Sequence, residues 1–298
     1  MRDTGGAAFH SADLGIIGGS GLYSLEGLSD ITEVELKTPY GDPSGPLILG
    51  TVGDRRIAFV PRHGRGHVIS PSKIPARANI YALKALGVSE VISVSAVGSL
   101  RGDFTPGDMV ILDQLIDRTR GVRPASFFGD GMVAHVSLAD PYCGRLRPVL
   151  ERVAAAVHPT VHEAGTYCCI EGPQFSTRAE SELYRSWGMD VIGMTALPEA
   201  RLAREAELCY VGLALVTDYD CWHPRHDSVD AQSVAEVMAA NISAAQKVLL
   251  GFTQETHPSQ CNCHRALDNA IMTDRQAWQG ASLGHVPTLL RDRVAPVL

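Results

Sequence analysis

Short apolar runs alternate with amphipathic stretches along most of this chain. Leu14–Leu22 reads as a strand running into a glycine-rich turn. Leu47–Val52 and Arg56–Pro61 alternate like paired strands about a Gly53-Asp54 turn. Ser72–Leu86 places Ile74, Ala78, Tyr81, Leu83 and Leu86 at helical spacing and is closed by Gly87. Val88–Val97 and Met109–Ile116 are apolar enough for buried strands, and Arg118–Gly131 is a polar loop carrying Phe127 and Phe128. Beyond it the pattern predicts a helix over Gly144–Val157, a strand over Gly165–Glu171 and a helix over Ala179–Trp187. A strand end at Asp190–Thr195 and a helix over Leu197–Glu207 follow. The unbroken apolar run Val211–Val216 is a strand buried on both faces, as in parallel sheets. Ser233–Phe252 is a strongly periodic helix, and a short helix is expected at Arg265–Met272.

Strands and helices in alternation argue for an α/β fold. Neither an internal repeat nor a linker divides the chain. The expectation is one domain over residues 13–252, an N-terminal extension over residues 1–12, and a polar, mixed tail over residues 253–298.

Composition narrows the function. The 298 residues are 45% hydrophobic and 20% charged, as in ordinary globular proteins. A formal net charge of −7 without a basic stripe argues against nucleic-acid binding. An anionic ligand therefore needs a local positive site, such as the Arg62-His63-Gly64-Arg65 group. No apolar run approaches the roughly 20 residues that span a bilayer. The first residues lack the basic and apolar regions of a secretory signal, which points to the cytoplasm. Seven cysteines do not form a secreted disulfide framework. Cys168 and Cys169 read as buried thiols. Cys261 and Cys263 are open to a local disulfide or to two reduced thiols; a metal is the least favoured reading, because no second cysteine pair stands nearby in the sequence. No metal and no cofactor are expected.

The most informative stretch is Val216–Trp222, where the apolar run ends in Asp218 and Asp220. Asp is common in turns and caps. Ligands of open α/β sheets, however, sit beyond the carboxyl ends of strands, and two carboxylates there can accept hydrogen bonds from a ring nitrogen and an exocyclic amine. The glycine-rich turn after Ile17 offers backbone N–H groups to an anion. It matches neither the dinucleotide fingerprint, since Ser24 takes the third glycine position, nor a Walker motif, since no Lys-Ser/Thr follows.

Five segments together resemble one family: Ile16–Gly21, Arg62–Gly64, Ser95–Leu100, Glu171–Ser176, and Met194-Thr195 with the Asp218/Asp220 pair. Their order and spacing are similar to those of the trimeric nucleoside phosphorylases of the methylthioadenosine phosphorylase and purine nucleoside phosphorylase type. The resemblance runs from about residue 13 to 252 and implies a central twisted mixed sheet flanked by helices. It also implies phosphorolysis of S-methyl-5'-thioadenosine to adenine and 5-methylthioribose 1-phosphate. Inorganic phosphate is then a co-substrate, and the chain forms a homotrimer or a dimer of trimers. The string Thr217–Trp222 is the part most specific to the methylthioadenosine branch; an Asn typically replaces the first acid in relatives selective for 6-oxopurines. Rival readings are a phosphorylase for 6-oxopurine nucleosides or methylthioinosine, a nucleotide-binding module without chemistry, and an inactive scaffold.

The resemblance carries residue roles with it. Phosphate is held by Ser20 and its neighbouring glycine N–H groups, Arg62, His63, the Ser95-Ala96 turn and Thr195. Ser20 and Ser95 stand where Thr is frequent and keep the hydroxyl. Arg suits the task because its planar fork meets an oxyanion in two bonds. Met194 meets the ribose, Phe175 stacks on the purine, and Ser176 and Ile192 line the base pocket. Asp220 holds the 6-amino group. Asp218 either donates a proton to N7 of the leaving base or accepts a hydrogen bond from it. Val229–Met238, Val234 included, covers the 5′ group, and His135 reaches into the site of a neighbouring subunit.

Overall fold

A computed structural model of the chain describes residues 11–19, 21–22, 25, 27–129, 131–224, 231–257, 260–280 and 286–290. The first half runs β1 (Leu14–Gly18), β2 (Ser29–Val34), β3 (Leu47–Val52), β4 (Arg55–Pro61), α1 (Ala76–Ala85), β5 (Glu90–Ser99), β6 (Met109–Ile111) and β7 (Gln114–Arg118). The second runs α2 (Arg147–Val157), β8 (Val161–His162), β9 (Thr166–Ile170), α3 (Arg178–Ser186), β10 (Val191–Gly193), α4 (Ala196–Glu205), β11 (Cys209–Asp218), α5 (Ala231–Gln254) and α6 (Val286–Leu289).

The strands form one mixed sheet. Its order is β2-β3-β4-β1-β5-β10-β9-β7, and β11, β6 and β8 branch from β5. The α1 and α4 side chains Leu83 and Ala203 join Val91, Val97 and Val216 in a core on one face. The α2 and α5 side chains Leu150 and Leu249 join Ile92, Val94 and Leu213 on the other. Odd and even positions of β5 thus feed opposite cores, as the period of two requires. Such a helix–sheet–helix stack explains why β5 and β11 are buried on both faces.

Strand β5 positions the site. Its first residues pair with β1, Leu14 to Glu90 through Ile17 to Ser93, and its last two pair antiparallel with β10. Between Ser93 and Gly98 that edge of β5 is unpaired, and the sheet forks. β11 runs parallel along the opposite edge, from Cys209 beside Glu90 to Asp218 beside Gly98. The fork is the topological switch at which α/β sheets hold ligands.

The structure departs from the sequence-based elements where local signals compete. The first helix begins at Ala76 rather than Ser72, because Pro75 disfavours helix in the residue before it; Pro71–Lys73 forms a separate 3₁₀ turn. The run Met109–Ile116 is two strands, as β6 pairs with β11 and β8 whereas β7 pairs with β9. The helix expected at Arg265–Met272 is a 3₁₀ turn over Asn262–Arg265 followed by turns. The tail is less polar in effect than in composition: Leu267, Trp278 and Leu290 are buried in the main core.

Candidate active site

Arg62 binds backbone carbonyls of two strands where the sheet forks. It follows β4 and is only 2% exposed. Nη1 donates to the Val94 carbonyl at 2.8 Å, and Nη2 reaches the Ile17 carbonyl at 3.3 Å and Ser93 Oγ at 2.7 Å. Nε and Nη2 also meet Glu199 of α4, at 3.0 and 3.2 Å. Glu199 further accepts from the Ser93 and Tyr210 hydroxyls. Burial works against the guanidinium, but the Glu199 carboxylate outweighs it and keeps Arg62 charged. The two-toothed side of Arg62 thus faces Glu199. A guanidinium has five N–H groups, and among the described residues one hydrogen on Nη1 has no acceptor.

His63 is the next residue and is also buried. Its Nδ1 donates to the Ile69 carbonyl at 2.8 Å, since a carbonyl only accepts, and its ring stacks on His67 at 4.1 Å. Burial, helped by the charge of Arg62, pushes its pKa down to about 4. At neutral pH Nε2 is therefore a bare acceptor. Ser95 lies on the same face of β5 as Ser93, two residues on, and is buried; Ala96 is half-buried. Thr195 precedes α4, where its N–H donates to the Tyr167 hydroxyl at 3.2 Å. Ser20 lies outside the described residues.

The Asp pair sits at the other end of the fork. The register of β11 shifts between Val216 and Asp218, and the bulge at Thr217 re-aims the chain there. Asp218 Oδ2 accepts from the Thr217 hydroxyl and Oδ1 from the Asp220 N–H, both at 2.7 Å. Burial raises the Asp218 pKa, Asp220 adds to the rise, and the two hydrogen bonds oppose it. Asp220 is 5% exposed with φ at +50°, and its Oδ2 accepts from the Ser176 hydroxyl at 2.5 Å. Trp222 fixes the loop: its Nε1 donates to the Ser99 carbonyl, and Arg185 of α3 lies 3.6 Å above its ring. Gly98 faces the pair. A Cβ there would lie 2.8 Å from Asp218 Oδ1 and 3.0 Å from Ile192.

The base-side loops meet through Arg123. This buried side chain donates from Nη1 to the Met194 and Leu197 carbonyls, and from Nε to Glu171 Oε1 at 2.8 Å. Gly172, with φ at +66°, lets the 172–177 loop lie against Met194, whose Sδ a Cβ at this position would strike. Phe175, on that loop, is 43% exposed and so is not a core side chain. Ile192 is buried, Val234 is half-buried in the first turn of α5, and Val229 lies outside the described residues. His135 is exposed and held by its backbone to Ala270; no described contact joins it to the Asp pair. Arg123 and Glu199 carry no local signal that marks them in the sequence, and Gly98, though inside the Ser95–Leu100 segment, has no role assigned there. They are found only through the partners that the fold brings to them.

The sequence profile of the phosphorylase superfamily matches residues 13–254. The chain belongs to that superfamily. It is 51% identical over 289 residues to the S-methyl-5'-thioadenosine phosphorylase of Chloroflexus aurantiacus, covering 97% of this chain and 98% of that protein. It is 53% identical over 264 residues to the enzyme of the same name from Cereibacter sphaeroides, covering 87% and 91%. Among solved structures, a methylthioadenosine phosphorylase from an antarctic soil metagenomic library superposes with a TM-score of 0.85 at 46% identity, covering 95% and 98%. The methylthioadenosine phosphorylase of Schistosoma mansoni in complex with adenine superposes with a TM-score of 0.79 at 37% identity, covering 86% and 96%. The fork, Asp pair and helix–sheet–helix stack thus lie within a phosphorylase-superfamily chain. Among the described residues no helix is long and apolar enough to cross a membrane.

Proposed function

We propose that this chain catalyses phosphorolysis of S-methyl-5'-thioadenosine, releasing adenine and 5-methylthioribose 1-phosphate. The observation that carries the reading is the acidic pair at the end of β11, with Asp220 held by Ser176 and Asp218 raised by burial. Phosphate attacks C1′ as the bond to the base breaks, so positive charge grows on the sugar and negative charge on the purine. Asp218 meets N7 and, in its protonated fraction, supplies the proton that the departing base needs. Asp220 turns the oxygen not held by Ser176 to the 6-amino group. A 6-oxopurine would set an acceptor against that oxygen, which disfavours it. Phe175, exposed until a base arrives, stacks on the ring. Ser176 and Ile192 close the base pocket, and Met194 borders the ribose.

At the other end of the fork, phosphate lies against the backbone near Ser20, the Ser95 hydroxyl, the Ala96 N–H, Thr195 and His63 Nε2. Arg62 adds its remaining Nη1 hydrogen. Because Nε2 is an acceptor, His63 pairs with a protonated phosphate oxygen. Val234 belongs to the apolar cover of the methylthio group. The exposed His135 reaches the site of a neighbouring copy in a homotrimer, which sedimentation velocity tests directly.

The deciding assay mixes the protein with methylthioadenosine, methylthioinosine, adenosine or inosine and follows base release with and without phosphate. Phosphate-dependent release of adenine from methylthioadenosine, faster than hypoxanthine from methylthioinosine, is expected. Faster release of hypoxanthine would overturn the assignment of Asp220.

A further inference from the structure

Four cysteines that are far apart in sequence converge at the end of the sheet opposite the Asp pair. Cys143 precedes α2, Cys209 opens β11, Cys261 caps the 3₁₀ turn of the tail and Cys263 lies within it. Their four sulfur atoms all lie within 4.8 Å of one another. We propose that they form a tetrathiolate site for a structural zinc ion, which fastens the C-terminal segment to the base of β11.

The geometry fits this metal. Tetrahedral zinc with sulfur at about 2.3 Å places its ligands about 3.8 Å apart, and Cys143 Sγ is already 3.5 Å from Cys261 Sγ. Each cysteine sits on fixed backbone. The Cys143 N–H donates to the Tyr210 carbonyl and the Cys209 N–H to the Ser89 carbonyl, which ties both to the start of β11. The His264 and Ala266 N–H groups close the turn onto the Cys261 and Cys263 carbonyls. The Leu267 N–H donates to Glu207 just before β11. Cys143, Cys209 and Cys263 are buried and Cys261 is half-buried, so the site is enclosed but reachable. A cleft lined by Gln260, Cys261 and Cys263 gives the ion its way in.

The surrounding charge has the right sign. Binding releases four protons, Zn²⁺ plus four thiols giving a zinc tetrathiolate of charge −2 and four H⁺. Arg145 Nη2 donates to Cys209 Sγ at 3.2 Å, a contact that suits a thiolate ligand, and Arg147 and Arg204 line the same cleft. The closed set of four protein sulfurs leaves no open position for a substrate, which makes the site structural rather than catalytic. Cys209 and Asp218 are the first and last residues of one ten-residue strand, so the site lies roughly 30 Å from the Asp pair.

The sequence disfavours a metal at Cys261 and Cys263 because no second pair stands nearby. The second pair comes from Cys143 and Cys209, whose distance along the chain hides it.

The test is metal analysis of the intact protein, purified without chelator under reducing conditions. One zinc per chain is expected, falling to background in Cys209→Ser and Cys263→Ser. Cobalt(II) added to reduced, zinc-free wild type should give the visible and near-ultraviolet bands of a tetrathiolate centre, a readout that needs no variant to fold. Zinc at a thousandfold excess over its Kd should raise Tm by roughly 5–15 °C, with little change in kcat/KM. Two outcomes would overturn the proposal: an intact mass four hydrogens light in fresh protein, which means two disulfides, or reduced protein that takes up neither ion.

Discussion

Gly98→Ala tests the placement of the Asp pair with a single methyl group. A Cβ at this position lies 2.8 Å from Asp218 Oδ1, 3.0 Å from Ile192 Cγ2 and 3.4 Å from Asp220 Cβ. Ordinary contact begins near 3.4 Å, so the carboxylate must retreat by ~0.6 Å. Oδ1 also holds the Asp220 N–H, so both acids move together. Overpacking of this size costs about 1–3 kcal/mol, which for a chain of this length is no more than ~10 °C in Tm. Catalysis is more exacting, since displacing a working group by ~1 Å costs about a hundredfold. The expectation is a fall in kcat/KM for methylthioadenosine of roughly 10–100-fold, carried mainly by kcat because the base develops its charge only in the transition state. Steady-state kinetics with saturating phosphate measure it. Gly102→Ala, whose added Cβ meets nothing within 4 Å, is the silent control. Wild-type kcat in a folded Gly98→Ala protein would refute the role assigned to Asp218.

Asp218→Asn removes the titratable group and should lower kcat/KM for methylthioadenosine by about 10²–10⁴-fold while moving selectivity toward methylthioinosine; an unchanged ratio between the two substrates rules this out. Glu199→Gln leaves Arg62 buried against an amide and should cost about 3–5 kcal/mol, read as the midpoint of urea unfolding; a midpoint equal to wild type would mean that Arg62 is neutralised elsewhere. His63 sets an acid limit on stability. Its pKa falls from 6.5 to about 4 on folding, so the unfolded chain binds the proton more readily in that window. Stability is complete above pH 6.5 and declines as pH drops toward 4, by about 3 kcal/mol at ~1.4 kcal/mol per pH unit. His63→Asn should flatten that decline in unfolding experiments at stepped pH, and an identical slope in both proteins would contradict it.

What the sequence reveals of this molecule is what local pattern can hold. The run from Val211 is apolar at consecutive positions because both faces of β11 are covered, and its end at Asp218 is visible without a structure. The helix expected over Ala179–Trp187 is α3, which starts one residue earlier behind a capping box of Thr177 and Glu180. Strand β2 is hidden for the opposite reason. Its first five residues are exposed at the sheet edge, so Ser29–Val34 lacks the alternation that marks a half-buried strand. The partners of Arg62 were equally beyond reach, since Glu199 lies 137 residues away and is brought in by α4. The same holds for Arg123, which reads as one polar residue in a polar loop until the Glu171, Met194 and Leu197 contacts are seen. Sequence identifies groups able to do chemistry; the distances between them are a property of the sheet.

Arg62 illustrates why that distinction matters for mechanism. A guanidinium next to a glycine loop suggests a cation offered to phosphate, yet here its charge is matched by Glu199 and four of its five N–H groups have partners among the described residues. The pair is close to neutral as seen from the fork. On the proposed reading, an incoming phosphate would be recognised chiefly by oriented dipoles, namely backbone N–H groups and the Ser95 and Thr195 hydroxyls, with one Arg62 hydrogen contributing. Dipoles fixed by the sheet cost little reorganisation when charge shifts from phosphate to sugar. Weak neutralisation has a further use: a phosphate oxygen fully paired with a cation is a poor nucleophile, whereas one held by dipoles keeps its electron density for C1′. On the proposed reading the Glu199 contact would tune the nucleophile as well as anchor Arg62. Ser93 and Tyr210 donate to the same carboxylate and hold it against Arg62.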